Sequence, residues 1–387
     1  MSLFIPEIDY DDARMVRLML SRLIEPDDRL FAALREVAAP AEMLRAILER
    51  GWSPPDWPAQ LVERLEGRRA GMELKLPGAD PMADLAAGAA VGARFLIPGD
   101  ADWPDSLEDL GERAPFGIWM IGRFDHRAPS VAMVGARQCT PYGALAAAKL
   151  ASQLARADVA IVSGAAIGVD GASHRGALHA GGATVAVLAC GIDRSYPASH
   201  TELIQAIGQR GAVFAELPPG SRPTRFRFLS RNRLIAALGM ATVVVEAAVR
   251  SGSLVTARLA AELGRAVFAV PGPVTTREST GTNRLLCDGA IPAVDGPQVL
   301  AELGIEESSP VARRVEKSDT PSAATEIDPR AALVREALPT ARSGRAAPVL
   351  TLAAETGLAP SEVLALLGRL AGLGQAVRTG GGWALGR

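Results

Sequence analysis

Between about residues 95 and 305 the chain alternates two hydrophobic rhythms. Short unbroken apolar runs occur at 131–134 (VAMV), 159–162 (VAIV), 184–189 (TVAVLA), 242–245 (TVVV) and 266–270 (AVFAV). Longer stretches between them, such as 143–156 and 254–263, repeat their apolar residues at helical spacing. A strand covered on both faces has no polar side to present, so continuous apolar runs mark buried strands. Their alternation with helices predicts βαβ units on a parallel sheet. In such a sheet a ligand sits beyond the carboxyl ends of the strands, where strand order switches.

The flanking segments read differently. In residues 10 to about 70, Leu18, Leu20, Leu23, Leu30, Leu34, Leu44, Ile47 and Leu48 recur mostly at helical spacing. Pro26, Pro40 and the Pro54–Pro55 pair cut the pattern into short helices. This predicts a small helical domain over 1–94, either an interaction module or a structural cap. Residues 306–329 have linker composition, rich in Ser, Pro, Glu and Arg. In 330–387, helices at Ala332–Leu338 and Glu362–Leu373, with Leu350–Glu355 between them, precede a hairpin over Gln375–Leu385. That order predicts a winged-helix-like unit without a basic recognition helix. The fold class is thus α/β: a Rossmann-like parallel-sheet core over 95–305, with a helical domain before it and a winged-helix-like domain after it.

Composition narrows the chemistry. Apolar residues make up 48% and aromatics only 4% of the 387 residues, so Ala, Val and Leu fill the core. The net charge of −2 means that any nucleic-acid reading rests on local clustering of arginine. Three cysteines, Cys139, Cys190 and Cys287, include no C-x-x-C pair, which fits a reducing cytosol and no zinc site. An acidic N-terminus without a signal-peptide pattern, and no bilayer-length apolar run, complete the expectation of a cytoplasmic chain away from membranes.

Several turns after strands carry candidate groups. Gly135-Ala136-Arg137, followed by Cys139–Gly143, opens a helix; glycine, a helix N-terminus and an arginine fork together suit an anion. A tight turn with a surface arginine explains the same residues. Ser163-Gly164, continuing to Asp170 and Gly171, is neither a dinucleotide fingerprint nor a Walker loop. Asp170 either caps the next helix or touches a ligand. His174 and His179 are five apart, not the spacing of a zinc pair, and His174 reads as structural. Ser163, His174 and Asp193 could form a hydrolase triad on paper, but no nucleophile elbow accompanies them. Glu246 and Ser251-Gly252-Ser253 form a further polar turn.

The most informative stretch is 222–233, with Arg222, Arg225, Arg227, Arg231 and Arg233, two phenylalanines, Phe226 and Phe228, and no acid. Arginine interleaved with aromatics supplies phosphate neutralisation and base-stacking faces together. The alternative is an arginine-rich helix start with its phenylalanines in the core.

These residues carry a family resemblance. VAMVGARQCTPYG resembles the strand–GSR–helix segment of the DprA/Smf family, and IVSGAAIGVDGASHRGAL resembles its SGxAxGxDxxAHxGAL segment. TVAVLACGIDRSYP, FLSRNRLIAALG, VVVEAAVRSGSLVTARLA and FAVPGPVTTRESTGTNRLLCDGA follow in the family's order over about 95–300. The flanking units resemble its SAM-like and DML1-like domains. The resemblance implies an extended Rossmann fold without catalysis, cofactor or metal. It also implies single-stranded DNA binding, a homodimer, and protection of incoming DNA with RecA loading during natural transformation. The implied DNA contacts fall on Gly135, Arg137, Ser163, Gly164, Arg225, Phe228, Arg231 and Asn232. Ile167 stands where many members carry Lys or Arg. The rival is a nucleotide-processing enzyme of the phosphoribohydrolase type, whose P-G-G-x-G-T-x-x-E run has no counterpart at Pro271-Gly272-Pro273.

Overall fold

The computed structural model describes residues 9–306, 329–339, 346–356, 358–372, 375–379 and 382–386. Five helices come first: α1 (Ala13–Leu23), α2 (Arg29–Arg35), α3 (Pro40–Leu48), α4 (Ala59–Glu73) and α5 (Pro81–Ala90). Asp12 caps α1, accepting from the Arg14 and Met15 N–H groups, and Asp28 caps α2, accepting from the Leu30 N–H. Val16, Met19, Leu20, Leu30, Leu34 and Met43 close a core among these helices.

The chain then runs β1 (Arg94–Leu96), β2 (Ile118–Gly122), β3 (Ser130–Val134), α6 (Pro141–Arg156), β4 (Ala160–Ser163), α7 (Val169–His179), β5 (Thr184–Leu188), α8 (Thr201–Arg210) and β6 (Ala212–Ala215). It continues through α9 (Arg225–Leu238), β7 (Ala241–Val244), α10 (Gly252–Glu262), β8 (Ala266–Ala269), α11 (Thr280–Cys287), β9 (Ile291–Pro292) and α12 (Gly296–Glu302). The nine strands lie in the order β1-β2-β6-β5-β4-β3-β7-β8-β9. All neighbours from β6 to β9 pair in parallel, whereas β2 pairs antiparallel with both β6 and β1. The five apolar runs are β3, β4, β5, β7 and β8. The antiparallel edge had no counterpart in the sequence expectation of a parallel sheet.

Strand alternation feeds two cores. Val131, Met133, Ile161 and Val243 face α6, packing with Ala147, Leu150 and Leu154. Ala132, Val134, Val162 and Val244 face the other way, onto Leu234, Ile235 and Leu238 of α9. Crossovers from β3 and β7 leave in opposite directions, so the strand-order switch lies between them.

The N-terminal helices and the sheet form one compact unit, Met1–Ser309. Ion pairs fasten them: Arg14 to Asp100 at 2.8 Å, Arg113 to Asp27 at 2.8 Å, and Arg227 to Glu25 at 2.9 Å. Gly88 of α5 lies flat on the Trp119 ring of β2, where a Cβ would have no room. Most of the expected linker, residues 307–328, lies outside the described residues. The second unit holds α13 (Pro329–Glu336), α14 (Val349–Thr356), α15 (Pro360–Gly372), β10 (Ala376–Thr379) and β11 (Gly382–Leu385). Val334, Leu352, Val363, Leu367 and Leu370 make its core, and β10 pairs antiparallel with β11. Among the described residues no single helix is long and apolar enough to cross a bilayer.

Candidate nucleic-acid interface

At the strand-order switch a cleft of about 920 Å³ opens between the turn after β3, the turn after β7 and the first turn of α9. Five arginines line it, Arg137, Arg225, Arg231, Arg250 and Arg258, against one acid, Asp170. Arg225, Arg250 and Arg258 are exposed, and among the described residues none pairs with a carboxylate. Such an excess of cations in one concavity focuses a positive potential on whatever enters it.

Thr224 caps α9, accepting from the Arg227 N–H at 3.3 Å. The helix then passes under the sheet, with every residue from Ser230 to Leu238 buried. Its first turn lines the cleft, and Arg231, Asn232 and Ile235 of the next turns line its floor. In the first turn Phe228 lies under the Arg137 guanidinium, 4.4 Å from Cζ to the ring centroid. Tyr196, from the turn after β5, tilts against the same ring at 5.4 Å. A cation and two aromatic rings from three separate segments therefore share one patch.

Beneath that patch lies the Arg231 guanidinium, 6% exposed, with Nη1 donating to the Val187 carbonyl. Burial lowers its pKa to about 10, so it remains charged at neutral pH. Burial likewise pushes the Asp170 carboxyl above the ordinary aspartate value, against the pull of Arg231. Asn232 Nδ2 donates to the Gly252 carbonyl at 3.3 Å and so ties α9 to the start of α10.

The eight expected site residues divide accordingly. Gly135, Arg137, Arg225, Phe228, Arg231 and Asn232 all line the cleft. Ser163 and Gly164 do not; both are buried below it. The Ser163 hydroxyl donates to the Met133 carbonyl at 2.6 Å. A Cβ on Gly164 would fall 2.5 Å from Arg231 Cζ, so this glycine makes room for a side chain of its own protein. The arginine-rich stretch divides as well. Arg227 pairs with Glu25, and Arg233 pairs with Glu216 through two bonds of 2.7 and 2.8 Å. Only Arg222 and Arg225 of the five are exposed; Phe226 is 50% exposed and Phe228 half-buried, so neither phenylalanine joins the core as the alternative required.

The anion site expected at the start of α6 needs correction. Glu246, 1% exposed, already occupies that helix end, accepting from Thr140 N at 2.8 Å and from the Thr140 hydroxyl at 2.5 Å. Its carboxylate takes the Thr140 N–H, and the Thr140 hydroxyl takes the Gly143 N–H at 3.1 Å, so a buried negative charge and a cap already hold the helix end where a phosphate would have sat. The paper triad also comes apart. Ser163 bonds Met133, His174 Nδ1 bonds the Thr184 hydroxyl at 2.7 Å, and Asp193 accepts from Gly220 N at 2.9 Å. Gly272 is clamped by Asn283 through both its N–H and its carbonyl. Among the described residues no three His, Cys, Asp or Glu side chains gather as a metal site would require.

Sequence reasoning missed Arg250, Arg258 and Tyr196 as parts of the cleft. The polar turn at 251–253 was visible, and its flanking arginines were the available signal. Ile167, on the turn after β4, is 54% exposed and adds no charge there.

The family model for DNA recombination-mediator protein A matches residues 94–304. A Mycobacterium tuberculosis relative named for DNA processing protein DprA is 40% identical over 384 residues, covering 94% of this chain and 95% of its own length. The X-ray structure of DNA processing protein A from Streptococcus pneumoniae superposes with a TM-score of 0.59 at 30% identity, covering 77% of this chain and 99% of that one. A structure of the Helicobacter pylori DNA processing protein A, described for its single-stranded DNA binding mode, gives a TM-score of 0.50 at 31% identity, covering 55% and 95%.

Proposed function

Because the chain belongs to the DNA recombination-mediator protein A family, we propose that it binds single-stranded DNA, protects incoming strands and loads RecA onto them during natural transformation. The observation that carries this reading is the cleft lining of five arginines and one aspartate around a half-buried phenylalanine. A single strand offers repeated phosphates and unstacked bases together, and this lining suits both. The Helicobacter pylori relative, described for binding single-stranded DNA, supports the choice of ligand.

In this reading Arg137, Arg225, Arg250 and Arg258 neutralise phosphates, Gly135 admits the backbone, and Phe228 with Tyr196 stacks a base. Arg231, Asn232, Ser163 and Gly164 act from below by holding the cleft floor. The protein works in the cytoplasm as a homodimer, without catalysis or cofactor. Its N-terminal helices form a SAM-like module and its C-terminal unit a winged-helix-like module. The test compares a single strand, the same sequence as duplex, and a mononucleotide at several salt concentrations. Single strand should bind best, with log affinity falling by about 0.7 per log unit of salt for each phosphate held. A mononucleotide that binds as well as an oligonucleotide would turn the reading toward a nucleotide-processing enzyme. Loading is read from RecA strand exchange with and without the chain, and an unchanged rate would remove the mediator role.

A further inference from the structure

A second cavity, of about 270 Å³, lies in the joint between the N-terminal helices and the sheet. Arg22, Lys75 and Arg227 line it with a single acid, Glu25, and the hydroxyl residues Ser21 and Ser221. Glu25 holds two of the cations. Arg227 Nε and Nη2 each donate to it at 2.9 Å, and Lys75 Nζ donates at 3.3 Å. Arg22 pairs with Asp84 from outside the lining, so cations still outnumber carboxylates by three to two. Arg227 above all, with Lys75, keeps the Glu25 carboxyl below the usual glutamate range.

The position of this cavity matters more than its charge. Arg225 of α9 lines the large cleft, and Arg227, two residues on, lines the joint. The first turn of one helix therefore carries an arginine into each cavity. Arg222 and Phe226, from the same short segment, are exposed. A carboxylate and a backbone phosphodiester each present two anionic oxygens, so they compete for the same donors on Lys and Arg.

We propose that the joint is a second phosphate subsite: a strand longer than the cleft crosses the start of α9 and sets a backbone phosphate against Lys75 and Arg227, displacing Glu25. This rests on the single-strand reading of the cleft. Glu25 is then a built-in competitor for DNA, and the N-terminal helices take part in binding through Lys75.

The experiment measures affinity by fluorescence anisotropy for strands of about 4 and about 16 nucleotides, the range of single-module site sizes. Lys75→Gln should weaken the long strand about fivefold at about 0.1 M salt and lower its salt slope by about 0.7, the worth of one phosphate contact. The short strand should be unaffected. Glu25→Gln should tighten the long strand by a similar factor and leave the short one alone. A merely structural ion pair would instead lower the melting temperature with no gain in affinity. Equal behaviour of Lys75→Gln and the parent on both lengths would overturn the proposal, as would weaker long-strand binding by a folded Glu25→Gln. If Glu25→Gln fails to fold, Lys75→Gln alone decides. A parent protein that binds neither length defeats the cleft reading instead. Thymidine monophosphate serves as the free-ligand arm. Should it stabilise the parent but not Lys75→Gln, with no dependence on strand length, the cavity takes a free phosphorylated molecule and the strand path is wrong.

Discussion

Replacing Gly164 by alanine tests how the floor of the cleft is built. The added methyl would lie 2.5 Å from Arg231 Cζ, and that guanidinium is buried and bonded to the Val187 carbonyl. Forcing a methyl into such a site costs about 1–3 kcal/mol. Arg231→Ala alone leaves a buried carbonyl without its donor, at a cost of about 1–3 kcal/mol. In the double variant the clash is gone. Gly164 does not use a left-handed backbone, so alanine is tolerated there. It should then gain about 0.4–1 kcal/mol by restricting the unfolded chain. The effect of Gly164→Ala thus changes sign between backgrounds, a coupling of about 1.5–4 kcal/mol. Urea unfolding of the parent, both single variants and the double variant measures it. An equal cost of Gly164→Ala with and without Arg231 would show that the glycine serves something else, and that Arg231 does not explain it.

Other outcomes follow from the same geometry. Arg137→Ala and Arg225→Ala should each weaken single-strand binding for all sequences alike and lower the salt slope by about 0.7; folded variants with parental slope would remove the cleft as the DNA site. Phe228→Ala should cost about 1–3 kcal/mol of binding with the slope unchanged, read by the same titration. His174 is buried with its pKa lowered to about 3, so the unfolded chain protonates first as pH falls. Stability from this group is complete above about pH 6.5 and falls by up to about 1.4 kcal/mol per pH unit towards pH 3. His174→Gln should flatten that part of the melting profile, and identical profiles in parent and variant would refute the assignment.

The parallel strands were legible because burial on both faces leaves an unbroken apolar run. β2 and β6 were not, although Met120 and Phe214 are as deeply buried. β6 has only four residues, two of them alanine, and it becomes a strand by pairing with β5 and β2. The arginine stretch stood out in the sequence, but its division did not. Arg233 is claimed by Glu216, 17 residues away, and Arg227 by Glu25, 202 residues away. No local pattern reports partners at such separations. Arg250 and Arg258 escaped notice for the converse reason. Arg250 adjoins an ordinary Ser-Gly turn and Arg258 lies on the helix that turn opens, and only the sheet topology brings both to face α9.

The seat of Trp119 against Gly88 bears on how the chain can be divided. The matching family segment begins at residue 94, which invites cutting there. A fragment beginning at that point would lose α5 and bare the ring of Trp119, which is fully buried in the intact unit. Asp27 would vanish from beside Arg113, and Phe116 would lose the helical core it packs into. In this chain the homology boundary thus cuts through packed contacts. Limited proteolysis should find the peptide bonds around residue 94 resistant, and a truncated product should turn up in the insoluble fraction.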